Sequence, residues 1–103
     1  MTSGYLVTAN YPRTNGAFFD IDYYIQKHLP LALDAWTPHG VKIVAISRVD
    51  DSSSPYQCQC VMLWPSAEAW RNARTSPESN KVWEDVPKYT DLDIVIVEGE
   101  RIL

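Results

Sequence analysis

Two hydrophobic rhythms alternate along this chain, one with the two-residue period of a strand and one with the three-to-four-residue period of a helix. Residues 4–11 are rich in β-forming side chains and run into a turn cluster from Pro12 to Gly16, which predicts a first strand. Asp20 can then accept from the free amides of a helix start, while Phe19 packs back on Tyr24 as a hydrophobic staple. From there Ile21, Tyr24, Ile25, His28, Leu31, Ala32 and Ala35 make one stripe at helical spacing, with Asp22, Gln26 and Asp34 mainly opposite. Pro30 lacks an amide donor and sets its ring against the Gln26 carbonyl, so a bend is expected just beyond His28. Thr37-Pro38-His39-Gly40 ends the helix.

Val41 to Val49 and Tyr56 to Trp64 read as two strands joined by a polar turn. Ser66 is placed to cap a helix that runs to Arg74 and buries Ala69, Trp70 and Ala73. Ser76-Pro77 starts another helical piece ending near Asp85, and Leu92 to Glu98 is the last strand. The order predicts an α+β, ferredoxin-like βαββαβ fold, with a four-stranded antiparallel sheet and helices on one face. In residues 41–46 and 92–97 both alternating sets of side chains are largely apolar, so both sheet faces are expected to be covered. Two helices can cover only one of them. A second copy, packed sheet to sheet about a twofold axis, is the economical cover for the other, which predicts a homodimer.

Composition narrows the picture. A chain of 103 residues, 46% hydrophobic, fits a single domain over residues 1–103 and has no room for a second. A formal charge of -4 without any Lys/Arg cluster argues against nucleic acid as a partner. No stretch approaches the span of a bilayer and the N-terminal residues lack a signal-peptide pattern, so no membrane partner and a cytoplasmic location are expected. The only cysteines, Cys58 and Cys60, share one face of a strand at a spacing that strains a disulfide. Neither His28 nor His39 sits at a zinc-site spacing from them, so no metal is expected, and the pair reads as buried thiols in a reducing compartment.

With that order in hand, Phe19-Asp20-Ile21-Asp22-Tyr23-Tyr24 through His28-Leu29-Pro30-Leu31 resembles the first-helix signature of the EthD-like family, an acidic-aromatic start followed by histidine and proline. Tyr11-Pro12, the segment Trp64-Pro65-Ser66-Ala67-Glu68-Ala69-Trp70, and Glu84-Asp85-Val86-Pro87-Lys88-Tyr89-Thr90-Asp91 are similar to the same family, so the likeness spans nearly the whole chain. The resemblance implies a dimeric α/β barrel with a ligand pocket in each subunit between sheet and helices. It also implies chemistry without metal or organic cofactor: monooxygenation of phenolic polyketides, lactone isomerisation, polyketide cyclisation, or decarboxylation of aromatic polyketide acids. Such a likeness fixes architecture better than reaction.

His28 is the leading chemical candidate, because it lies on the buried stripe and titrates near neutral pH. Spacing alone favours a core histidine bonded to a carbonyl or hydroxyl, and the family likeness, whose histidine falls here, reverses that balance toward catalysis. Tyr24, one turn earlier on the same face, can orient the imidazole or bond a substrate oxygen, or simply fill the core. Asn10, which could present its amide to a substrate carbonyl, and Tyr11 are both candidate substrate contacts, but they stand in opposite registers of the first strand, so at most one of them can face the helices. Trp36, Trp64, Trp70 and Trp83, with Tyr89, supply flat walls for an aromatic guest or ordinary core and dimer contacts. Asp20 and Asp22 are explained by the helix start, and His39 is expected in solvent. Two functions follow: a cofactor-free acid/base enzyme on a small hydrophobic carbonyl or phenolic compound, with oxygenation open to a substrate that forms a stabilised carbanion, or a non-catalytic carrier using the same pocket. A purely structural dimer is the third reading.

Overall fold

The computed structural model describes residues 4–103; Met1–Ser3, the beginning of the stretch in which no leader is expected, lie outside the described residues. Four strands, β1 (Tyr5–Pro12), β2 (Lys42–Arg48), β3 (Tyr56–Trp64) and β4 (Val95–Glu100), form one antiparallel sheet in the order β2-β3-β1-β4. This is the ferredoxin-like arrangement that the element order predicted. Strand alternation sends Val7, Ala9 and Tyr11 of β1 and Cys58, Cys60, Met62 and Trp64 of β3 to the face that the helices cover, where all are buried.

The first helical stretch is α1 (Ile21–Tyr23), a π turn over Tyr24–His28, and α2 (Leu29–Trp36). Asp20 caps it, accepting from the Tyr23 amide at 3.0 Å, and the Phe19 and Tyr24 rings lie 5.8 Å apart as the staple requires. Gly40 stops the stretch at φ +94°, a left-handed position where a side-chain carbon would also meet the Pro65 ring at 2.5 Å. On the second crossover α3 (Ala67–Arg74) is capped by Ser66, which accepts from the Ala69 amide at 3.0 Å. A 3-10 turn over Pro77–Ser79 then leads into α4 (Asn80–Asp85), and another follows over Val86–Lys88.

Several expectations are corrected. The perturbation caused by Pro30 lies ahead of it: the helix widens into the π turn, in which the Leu29 amide donates to the Tyr24 carbonyl five residues back. Ile25 does not join the buried stripe and is 44% exposed. His39 is half-buried in a 3-10 turn rather than free in solvent. The last strand begins at Val95, not Leu92, because Asp91 and Thr90 are tied to the Phe18 carbonyl and the chain reaches β1 only at Asn10. Finally, β2 carries a bulge between Ile43 and Ala45, which lets Ile43 and Ile46 both point to the helices and leaves Val44 59% exposed on the opposite face.

Candidate active site

The π turn decides where the key side chains go. It sets Tyr24 and His28, four residues apart, on one buried face with their rings nearly parallel, 20° and 5.8 Å apart. A backbone bond from the Asp20 amide to the Tyr89 carbonyl, 2.7 Å, and a bridge between Phe19 and Thr90 draw the 86–91 segment across the helix start. That brings the Tyr89 ring to 4.4 Å from the imidazole, and its hydroxyl to 2.8 Å from that of Tyr11 on β1.

His28 is 5% exposed, and its Nδ1 lies 3.0 Å from Oδ2 of Asp85, the last residue of α4. The other carboxylate oxygen accepts from the Tyr23 hydroxyl at 2.8 Å and stands 3.7 Å from Lys88 Nζ. A carboxylate only accepts, so Nδ1 holds the proton and Nε2 keeps its lone pair. Among the described residues no group hydrogen-bonds Nε2. His28 lines a cavity of about 40 Å³ whose other walls are mostly apolar: Ala9, Leu29, Ala32, Met62 and Ile96 among them.

Burial holds the His28 imidazole below its ordinary value, although the Asp85 bond and charge pull it back in part. The ring is therefore neutral near pH 7. Burial alone lifts the Asp85 carboxyl, but hydrogen bonds from His28 and Tyr23, together with the charges of His28 and Lys88, outweigh it and hold Asp85 below the usual carboxylate range. Tyr11, Tyr24 and Tyr89 are pushed well up by burial and remain hydroxyl donors. Burial also raises the Cys60 thiol to about 11, against a weaker lowering by the Tyr24 hydroxyl, so it is no nucleophile at neutral pH.

Of the residues singled out in the sequence, His28, Tyr24, Tyr11, Trp36 and Trp83 line this cavity together. Tyr89 backs it, touching the rings of His28, Tyr24 and Tyr11. Trp64 is not part of it; the ring packs against Trp36 and Trp70, at 5.8 and 5.1 Å. Asn10 is not either. Tyr11 pairs with the inward-facing Cys58, so its neighbour Asn10 must face the other side of the sheet, where it bonds Thr8, the Val95 carbonyl and Gln59. Sequence reasoning missed Asp85 and Tyr23. Asp85 stands in one of the family-like segments, yet periodicity gave it no role beyond ending a helix, and nothing local links it to a histidine 57 positions away.

Comparison with known proteins places these features. A crystal structure of an EthD-like protein from Ralstonia eutropha JMP134 is 23% identical, with a TM-score of 0.79 over 100% of this chain and 96% of that one. An ethyl tert-butyl ether d (EthD) family protein from Bacillus halodurans C-125 is 20% identical, with a TM-score of 0.73 over 96% and 99%. SnoaB, a cofactor-independent oxygenase from Streptomyces nogalater, shares the fold at 7% identity, with a TM-score of 0.63 over 99% and 98%. No curated protein sequence gives a significant match. The EthD domain model matches residues 17–93, a span that holds the capped helix start, the π turn with His28, and Asp85 with Tyr89, and the chain therefore belongs to the EthD domain family.

Proposed function

We propose that this single-domain protein is a cofactor-free acid/base enzyme acting on a small hydrophobic carbonyl or phenolic compound, with His28 moving the proton. The observation that carries this reading is the pairing of His28 Nδ1 with a buried carboxylate while Nε2 stands unpaired in a residue lining an apolar cavity. A neutral imidazole held in one tautomer is a general base aimed by its partner; once protonated it can return the proton as an acid. Asp85 orients the ring and stabilises the imidazolium that forms, and the Tyr24 hydroxyl is placed to bond a substrate oxygen. Enolisation of an α-carbon needs only this step, which opens cyclisation and isomerisation; decarboxylation follows when Nε2 first takes the proton of the substrate's own carboxylic acid or phenol group and then returns it to the ring carbon as carbon dioxide leaves. A substrate carbanion that itself reduces dioxygen extends the same step to oxygenation, a reading favoured by the shared fold with the cofactor-independent oxygenase.

Size bears on the substrate. A dry cavity of about 150 Å³ accepts benzene, whereas this one is about 40 Å³. An aromatic guest therefore enters only as rim side chains such as Leu29 and Trp83, both partly buried, move aside. The homodimer belongs to the same proposal. Leu6, Val44, Val61, Val95 and Val97 lie on the face without helices, an apolar surface suited to a second copy.

The test is His28→Ala against a panel of enolisable ketones and phenolic acids. Turnover is expected to fall by roughly 10²- to 10⁴-fold with the fold intact by circular dichroism. Unchanged turnover in the variant overturns the proposal, and binding of panel compounds with no turnover in either protein favours a carrier.

A further inference from the structure

A second and larger cleft, about 260 Å³, lies one strand position from the first. Cys60 lines the His28 cavity and Cys58, the next inward residue of β3, lines this cleft, so the two spaces are about 7 Å apart along the strand. Between them stand the Tyr11 and Phe19 rings, edge to face with centroids 4.9 Å apart. Tyr11 borders the His28 cavity and Phe19 the cleft.

The cleft differs in chemistry from its neighbour. Phe19, Ile21, Val49 and Cys58 give it apolar lining, and Arg13, Arg48 and Gln57 share its wall. Arg13 is locked in place by bonds to the carbonyls of Val49, Asp51, Ser54 and Tyr56, between 2.8 and 3.3 Å. Arg48 has neither an ion-pair partner nor a side-chain hydrogen bond among the described residues. Among the acidic groups near by in the chain, Asp20 caps α1, the Asp51 carboxylate accepts from the Ser53 amide and hydroxyl at 2.9 and 2.7 Å and also feels the Arg13 charge, and Asp50 makes no ion pair with Arg48. A fixed cation, a free guanidinium and an apolar lining together suit a carboxylate carried on a hydrophobic body, since guanidinium binds a carboxylate through two parallel bonds.

We propose that this cleft is an acid-binding site separate from the His28 cavity: Arg48 holds the carboxylate of an amphiphilic organic acid whose apolar body lies on Phe19, Ile21 and Cys58. The Tyr11 and Phe19 rings stand between the bound carboxylate and the imidazole, so the binding does not depend on the acid/base reading.

The test titrates 4-phenylbutyrate and its neutral amide, 4-phenylbutyramide, into the wild-type protein and Arg48→Gln, followed by amide resonances of Phe19 and Cys58. Wild type is expected to bind the acid at least about ten-fold more tightly than the amide. Arg48 is exposed, so the glutamine variant keeps the fold, and it is expected to lose most of the preference for the acid, with only what Arg13 supplies remaining. Equal affinities in wild type, or a preference undiminished in Arg48→Gln, overturn the proposal. Failure of the acid/base reading shows up separately, as unchanged turnover in His28→Ala, and leaves these affinities untouched.

Discussion

Two aromatic clusters share the buried side of the sheet and differ in what their polar atoms do. Trp36, Trp64, Trp70 and Trp83 pack at centroid distances of 5.1 to 5.8 Å. Two of their N–H groups go to structural partners, Trp83 Nε1 to the Arg74 carbonyl and Trp36 Nε1 to Ser79, while Trp64 Nε1 and Trp70 Nε1 have no partner among the described residues. The other cluster, Tyr11, Phe19, Tyr24, His28 and Tyr89, is packed as closely, yet one of its rings binds a buried carboxylate and its remaining nitrogen is unpaired. Ring packing and burial are alike in both. The presence of a titratable pair beside free space is what separates a wall from a site.

The sharpest way to break this contrast is in the tryptophan wall. Trp70 is fully buried, so Trp70→Ala is expected to cost about 3 to 5 kcal/mol of stability. That is a large fraction of what a domain of this size holds, and it is read from the midpoint of a urea melt. An unchanged midpoint would show that these rings do not carry the core.

Asp85→Asn probes the other cluster and is expected to lower turnover at least about ten-fold, since an amide no longer fixes the tautomer or stabilises the imidazolium. The pH profile sharpens the result. Wild-type kcat/KM requires neutral His28, so it rises with pH through a midpoint below 6.5 and then holds level. Asp85 raises the His28 value, so in Asp85→Asn that midpoint moves to still lower pH; a midpoint that moves upward contradicts the assigned pairing. Stability follows the same sign. His28 and Asp85 both titrate lower in the folded protein than in the unfolded chain, so the unfolded chain binds more protons and stability is lost as pH falls through the folded-state values.

Tyr89→Phe is the mildest change. It removes the 2.8 Å bond to the Tyr11 hydroxyl and keeps the ring packing, with an expected cost of about 1 kcal/mol in the same urea melt. A loss as large as that of Trp70→Ala would mean that the hydroxyl pair, rather than the rings, holds this end of the core.

Much of the frame was legible because it depends on neighbours in the chain. The Asp20 and Ser66 caps, the stop at Gly40 and the bounds of β3 each follow from local chemistry, and each stands where the residues placed it. The π turn was legible only as a disturbance near Pro30, since whether a helix kinks or widens depends on what its side chains must reach. Tyr11 and Asn10 were legible as alternatives, because the two-residue period fixes that they oppose each other but leaves open which one faces the helices.

The order and type of the elements, the inward stripe that carries Tyr24 and His28, and the likeness that pointed to this family can all be read from the residues in a row. Folding in three dimensions was needed to show that Asp85 binds the imidazole, that Asn10 faces away, that Trp64 belongs to the wall, and that Arg48 and Phe19 border a second cleft. The physical reason is range. Caps, turns and periodicity are set by backbone groups a few residues apart, whereas a site joins side chains from distant segments, and the distances between them exist only once the sheet and helices have packed.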